Sequence, residues 1–551
     1  MIKPIVTCFL FFIPVLLLNA QQLTNKKIAA INANFSSLYD AASPGGAFAI
    51  IREGKVIYSK ITGLANVEHQ LPIADTTVFN IASNSKQFTT LLALLLEEEG
   101  KLSMADDVRD YLPELSELPR KITVRQLANH THGLPNVDEL AALEGLDQLS
   151  HDQVLDMLFH IREFNYLPGE DYDYSNTGYV LLSEIIERIG EKPFESQLKE
   201  KIFDPVGMVN SNAVGDYLQV IPQKAYSYSP AENGFVNNPV TSSTMGASGV
   251  YASLNDLISW AQYFLTGDNA YKKLLKRMQE PTLLNSGKII DYGMGLQFEN
   301  YKGVDIVFHG GGTESYRSYV LYAPDHDLSL IFLSNAGGIS SYGLIYSSLD
   351  ILLEEDLENQ PVGPFKTNHF PNYEGTYALN PGQYYTILAT NDSLFIRSYG
   401  TEEKTHLPQL DEHTFIFPDL PFAKLIFFED RFDLRFVDFT YPAKRVAAPQ
   451  TEGFPGDLHR FVGTYTNKAH QVNMELALVN DQLVVNPNNE NIPLSRSSQS
   501  VFYAAGSSFG KIEFKMDEGG SVASFKLSRS RISNLTFTKE KPAVPVKTFG
   551  W

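Results

Sequence analysis

Between residues 45 and 66, GGAFAIIREGKVIYSKITGLAN alternates apolar and polar positions on either side of Glu53-Gly54, the pattern of a β-hairpin. The period then changes. From Phe79, FNIASNSKQFTTLLALLLEEEGKL sets Phe88, Leu91, Leu92, Leu94, Leu95 and Leu96 on so many sides of a helix that it is expected at the centre of a domain. Helical spacing returns in DYSNTGYVLLSEIIERIG (173–190) and SLNDLISWAQYFL (253–265), where Ser253 is a candidate cap. Strand patterns follow in DIVFHGGGTESYRSYVLYAP and LSLIFLSNAG. Strands first and last with helices between predict an α+β unit, one antiparallel sheet whose strands come from both ends and which helices flank.

LEEDLENQPVGPFKTNHFP (353–371) passes from an acidic helical end into proline-rich chain and marks a linker. Beyond it the helical period is gone. YEGTYALN at Tyr373 returns as FVGTYTNK at Phe461, and TNDSLFI at Thr390 returns as VNDQLVV at Val479, at nearly the same separation. The expected division is a leader (1–20), an α+β unit (21–355), a linker (356–371) and two all-β repeats (372–450 and 451–551). Short alternating strands such as AKLIFFED and KIEFKMD make each repeat either a small barrel or half of a larger one.

Composition narrows the class. With 551 residues, 43% hydrophobic and 20% charged, the chain is a folded protein of two or three domains. Lys3 followed by the apolar run ending at Ala20 reads as a secretory signal peptide, so a secreted or periplasmic mature chain without stable membrane insertion is expected. The one cysteine, Cys8, lies inside that leader, which leaves the mature chain no disulfide, cysteine nucleophile or thiolate metal site. A large cysteine-free exported chain fits the bacterial periplasm or exterior. A net charge of −20 without a basic cluster argues against nucleic acid as a partner.

Three S-x-x-K matches occur: Ser83/Lys86, Ser196/Lys199 and Ser508/Lys511. Ser196 lies in a charged amphipathic helix, and Ser508 in a turn that feeds a strand. Ser83 alone opens a buried helix, whose unpaired amides and positive dipole end suit a developing oxyanion. Residues i and i+3 share a helix face, so the Lys86 amine can reach the Ser83 hydroxyl. Buried there, Lys86 would lose its proton readily and accept that of Ser83. By itself this stretch is equally a catalytic pair or a structural turn.

Ser83-x-x-Lys86, Tyr174-Ser175-Asn176 and His309-Gly310-Gly311 stand in the order of the three motifs of the serine β-lactamase and penicillin-binding-protein superfamily, and the chain resembles its class C branch over roughly residues 25–350. ITVRQLANHTHGLP, IFDPVGM and GASGVYASLNDLISW resemble its framework. The resemblance implies that branch's fold, with an all-helical subdomain beside the sheet. It implies Ser83 as acylated nucleophile, Lys86 as its activating partner, Tyr174 as proton shuttle and Asn176 as the residue orienting Lys86 and the substrate amide. The oxyanion hole would be the amides of Ser83 and Gly312. No metal or organic cofactor is implied.

One departure bears on the substrate. Where β-lactamases and D-alanyl-D-alanine carboxypeptidases usually carry Lys-Thr-Gly, this chain has His309-Gly310-Gly311-Gly312. A largely neutral histidine is a poor partner for a substrate carboxylate. His-x-Gly here resembles the D-aminopeptidase and esterase members; D-aminopeptidases of that kind also append β-barrels, and His309 would assist Tyr174 or the leaving group. Glu314 is a candidate for a substrate ammonium, with surface placement the simpler expectation.

The expected function is an exported serine hydrolase acting on a small-molecule or short-peptide amide or ester, foremost small D-amino-acid peptides or amides, with carboxylesters close behind. The alternatives are a penicillin-interacting D-alanyl-D-alanine carboxypeptidase or weak β-lactamase, and a non-catalytic binding or sensing protein that uses the β-repeats. Two other signals fail: Gly506-Ser507-Ser508-Phe509-Gly510 has a strand where a nucleophile elbow needs a helix, and His130-Thr131-His132 has no third metal ligand nearby.

Overall fold

The computed structural model describes residues 23–540 apart from 267–269, 358–369, 381–382, 391–392, 400–401, 418–419, 436–439, 449–456, 487–490, 505–508 and 530. The leader, most of the linker and Ser508 of the failed elbow lie outside the described residues.

The expected hairpin is formed by β1 (Gly46–Arg52) and β2 (Lys55–Thr62), turning through Glu53 and Gly54, both at positive φ. Four strands from the far end of the unit complete the sheet: β3 (Gln297–Tyr301), β4 (Val304–Thr313), β5 (Tyr316–Ala323) and β6 (Leu328–Ser334). The order is β3-β4-β5-β6-β1-β2, all antiparallel, with Gly46 opposite Ser334. This is the α+β sheet drawn from both ends that the pattern predicted.

Strand β1 does not alternate in burial, because both of its faces are covered. Phe48 and Ile50 meet Ile31 and Phe35 of α1 (Asn25–Ser36) and Ile345 and Leu349 of the helix Ser341–Leu352. Ala47, Ala49 and Ile51 face the opposite side, in the same apolar core as α2 (Ser85–Glu98) and against the helix Leu254–Leu265. Small residues on that side let the helix Leu254–Leu265 approach closely. On α2 itself Leu91, Leu92, Leu94 and Leu96 are wholly buried, each contributing about 2 kcal/mol. Phe88 packs on Trp260 of α4 (Leu254–Leu265) at 4.8 Å between ring centroids, and α3 (Asn176–Gly190) lies against α2. Ser253 caps α4 in a reciprocal box with Asp256, as its position suggested.

Each repeat forms its own sheet. The first has eight strands, with Gly375–Asn380 pairing Thr440–Val446, and the second nine, with Gly463–Asn467 pairing Ile532–Lys539. In both meanders the first strand is hydrogen-bonded to the last, so each wraps into a near-barrel, which decides between the two expected arrangements. No helix among the described residues is long and apolar enough to cross a membrane.

Candidate active site

Ser83 does not lie in α2 but one step before it. The strand Val78–Asn80 ends in a 3-10 turn, Ala82–Asn84, and the α-helix starts at Ser85. Ala82 has φ 48°, a left-handed conformation disfavoured for alanine, and its amide is held by Asn80 Oδ1 at 2.8 Å. The turn is pinned from three sides. Asn84 donates to Ser318 Oγ at 2.8 Å, Ser318 donates to Ile81 O at 2.6 Å, and Val250 N donates to Ser85 Oγ at 3.1 Å. A Cβ on Gly311 would stand 2.3 Å from Ile81 O, so only glycine lets β4 pass this close to the turn that carries Ser83.

Lys86 has no exposed surface. Its Nζ donates to Ser83 Oγ at 3.1 Å, to Asn176 Oδ1 at 2.9 Å and to Ala247 O at 2.9 Å, and lies 4.9 Å from the ring centre of Tyr174. Burial pulls its pKa well below the ordinary lysine value; the negative charge of Asp138 opposes that pull and Arg531 adds to it. The structure thus brings Ser83, Lys86, Tyr174 and Asn176 together.

Asn176 is the first residue of α3, placed by the cap Ser175. Its side chain is oriented by Asp138, which accepts from Nδ2 at 2.7 Å, and its main-chain amide donates to Asn136 Oδ1 at 2.9 Å. Asn136 in turn donates to Asp138 at 3.1 Å. Neither Asn136 nor Asp138 was among the sequence-derived candidates, since LPNVDEL carries no motif of its own.

His309, on β4, is wholly enclosed. Its Nδ1 lies 2.6 Å from Gly310 O and its Nε2 3.4 Å from Tyr292 Oη. Burial, helped by Lys86, lowers its pKa to about 3, so it is neutral at physiological pH, as the departure from Lys-Thr-Gly implied. His130 stands on the other side of Tyr292. Ser175 N donates to its Nδ1 at 3.1 Å, which puts its proton on Nε2, 3.1 Å from Tyr292 Oη. Tyr292 can then donate towards His309 Nε2. The ring of Tyr174 rests on this relay, 4.3 Å from His130 and 6.0 Å from His309 between centroids.

His130 and His132 do not converge on a common ligand. His132 Nδ1 accepts from Leu134 N at 2.9 Å instead, and no cluster of potential metal ligands occurs among the described residues. Glu314 follows β4 at φ 44° and is half-buried, with Thr313 Oγ1 donating to its carboxylate. Burial raises its pKa, as does Asp138, while Thr313 and Arg317 hold it down. The exposed Lys199 pairs with Asp204, and the half-buried Lys201 with Glu99, as expected of a charged amphipathic Ser196 helix.

The Beta-lactamase family profile matches residues 25–343, more than half of the chain and every residue of this site except Arg531. The chain belongs to the beta-lactamase family. It is a serine hydrolase of that family's acyl-enzyme type. Among its relatives is penicillin-binding protein 4* of Bacillus subtilis, 29% identical over 408 residues, which cover 69% of this chain and 90% of that protein. The D-aminopeptidase of Gluconobacter oxydans is 29% identical over 329 residues, 58% of this chain and 61% of the relative, so the match spans less than two thirds of that enzyme. Among solved structures, the octameric penicillin-binding protein homologue of Pyrococcus abyssi superposes with a TM-score of 0.53 at 22% identity, over 84% of this chain and 97% of that one. The D-amino acid amidase of Ochrobactrum anthropi gives 0.50 at 22% identity, over 60% and 98%. At that identity the structural likeness speaks for the fold of this family member alone.

Proposed function

We propose that this beta-lactamase-family hydrolase cleaves small D-amino-acid amides, peptides or esters through an acyl-Ser83 intermediate, and does so outside the cytoplasm after loss of residues 1–20. The observation that carries the reading is the buried Lys86 amine, shared between Ser83 Oγ and Asn176 Oδ1. A lysine stripped of water is a competent base near neutral pH, and no other charge change is needed to start the reaction.

In acylation Ser83 Oγ attacks the substrate carbonyl as its proton passes to Lys86, with Tyr174 against the same amine. The amides of Ser83 and Gly312 receive the oxyanion. Tyr174 returns a proton to the departing amine or alkoxide. In deacylation the same groups take a proton from water as its oxygen attacks the acyl carbon; the bond from that carbon to Ser83 Oγ breaks, and the proton is handed to Oγ, which restores the serine. Neutral His309 gives a substrate carboxylate no ion-pair partner from β4, which supports amides and esters ahead of D-alanyl-D-alanine carboxypeptides.

Ser83→Ala is expected to remove covalent labelling by a fluorophosphonate and to lower turnover at least about 10⁴-fold. D-Alanine p-nitroanilide or p-nitrophenyl acetate should be hydrolysed better than a D-alanyl-D-alanine tripeptide, and the reverse ranking would refute the substrate class.

A further inference from the structure

The second barrel reaches into the catalytic unit by the hairpin that joins Val522–Arg529 to Ile532–Lys539. Its position is set by main-chain contacts. Arg531 O accepts from Asn136 N at 3.2 Å and from Asn165 Nδ2 at 2.8 Å, and Ser533 N donates to Asn165 Oδ1 at 2.7 Å. Thr536 fixes the strand behind it, donating to both carboxylate oxygens of Glu163 at 2.9 and 2.7 Å. These bonds carry the Arg531 guanidinium to 5.7 Å from the centre of the Tyr174 ring. Tyr441, from the first barrel, hydrogen-bonds the same guanidinium, and Asp173 lies beside it. Asn136, which accepts the amide of Asn176, is therefore also the residue that grips the hairpin.

We propose that Arg531 is a positioning residue for acylation: a fixed positive charge, delivered by the second barrel, that keeps the Lys86–Tyr174 pair one proton short and so able to take the proton of Ser83. The effect of the charge is the same whichever of the two is the acceptor. A neighbouring cation disfavours the ammonium form of a lysine and favours the phenolate form of a tyrosine, and both effects leave the pair with one proton fewer. The other groups facing the pair do not supply this charge. His130 and His309 are neutral, Tyr292, Tyr172 and Tyr179 are phenols, the last with its ring centre 5.3 Å from Lys86 Nζ, and Asp138 and Asp173 are acidic; Asp138 pushes Lys86 the opposite way. The inference rests on Ser83 being the nucleophile.

The test is the second-order rate at which the full chain is labelled by a neutral fluorophosphonate from pH 5 to 9. In that step the Ser83 O–P bond forms, the P–F bond breaks, fluoride leaves with the electron pair, and the Ser83 proton passes to the Lys86–Tyr174 pair. Arg531→Met should move the acid limb upward by about one pH unit. Labelling then falls about tenfold on the limb and is unchanged on the alkaline plateau. Arg531→Lys, which keeps the charge, should restore the limb, and Arg531→Gln provides a second neutral variant if the first does not fold. Asp173, whose carboxyl is pushed up to about 6 by burial, titrates in the same range, so Asp173→Asn should leave the limb present. A lowered plateau with the limb unmoved, a lysine that fails to rescue, or a limb that vanishes in Asp173→Asn would overturn the proposal. So would a rise in KM confined to anionic substrates, which would make Arg531 a substrate anchor. Labelling that survives Ser83→Ala would overturn the nucleophile reading instead.

Discussion

The two C-terminal barrels start from the same device. Gly375 and Gly463 hold positive φ at matching places in the two copies of Gly-Thr-Tyr, and the tyrosine that follows donates to the carbonyl four residues back, Tyr377 to Tyr373 and Tyr465 to Phe461, both at 2.9 Å. They diverge in how they meet the hydrolase. The first barrel has a separate apolar core and touches the unit at the edge of the sheet, through Lys424 to Glu299 on β3 and Arg435 to Asp291, beside a cleft of about 900 Å³. The second has a core continuous with that of the catalytic helices, lies beside a cavity of about 270 Å³, and places main-chain groups on Asn136 and Asn165. One repeated motif thus serves mainly as an appendage in one copy, which reaches the site through Tyr441 on Arg531, and as part of the site's frame in the other. Local sequence makes the barrel, while the residues at its rim decide what the barrel does.

Acid should separate the two most. His130, His132 and His309 are buried in the catalytic unit with pKa values below the free value of 6.5, His132 and His309 at about 3. The unfolded chain takes up these protons first, so their contribution to stability is complete above about pH 6.5 and is lost as pH falls towards 3, by about 1.4 kcal/mol per group per pH unit. Asp173, raised to about 6, opposes this over part of the range. The first barrel's described histidines, His406 and His413, are exposed. Calorimetry between pH 7 and 4 should show the transition shared by catalytic unit and second barrel falling sharply while that of the first barrel moves little. A single transition moving as one would erase the distinction.

A smaller effect comes from docking. Asn165→Ala removes two hydrogen bonds to the second barrel and should cost about 2 kcal/mol in urea unfolding and slow fluorophosphonate labelling severalfold. Lys424→Ala breaks the counterpart contact of the first barrel, a partly exposed ion pair, and should cost less than about 1 kcal/mol with labelling unchanged. Smallest is the shared tyrosine. Tyr377→Phe and Tyr465→Phe should each cost about 1 kcal/mol, read in different calorimetric transitions, with only Tyr465→Phe lowering the temperature at which hydrolase activity is lost.

What sequence makes legible here follows the range of the interactions. The β1–β2 turn, the capped α4 and the buried α2 rest on contacts within a few residues, and their patterns can be read directly. Ser83, Lys86, Tyr174, Asn176, His309 and Gly312 can be singled out as candidates because their motifs are short and stand in order, although the periodicity cannot show that Ser83 occupies a 3-10 turn ahead of the helix. His130, Tyr292 and Asp138 escape, since each joins the site through one side chain from a segment whose local pattern is that of ordinary framework. Arg531 is the extreme case: nothing in its surroundings marks it, and only the docking of a barrel whose own sequence is a repeat brings it near Tyr174.

The antiparallel pairing of β1 with β6 also governs when the molecule can begin to work. Gly45 is bonded to Asn335 across 290 residues of sequence, so a growing chain has made Ser83 and Lys86 long before it has made the strands that wall them in. Closing so distant a contact is slow compared with forming a helix or hairpin. The nascent polypeptide therefore carries Ser83 outside its finished turn until β4 to β6 are synthesised and paired, and the order of the strands sets when that turn is complete.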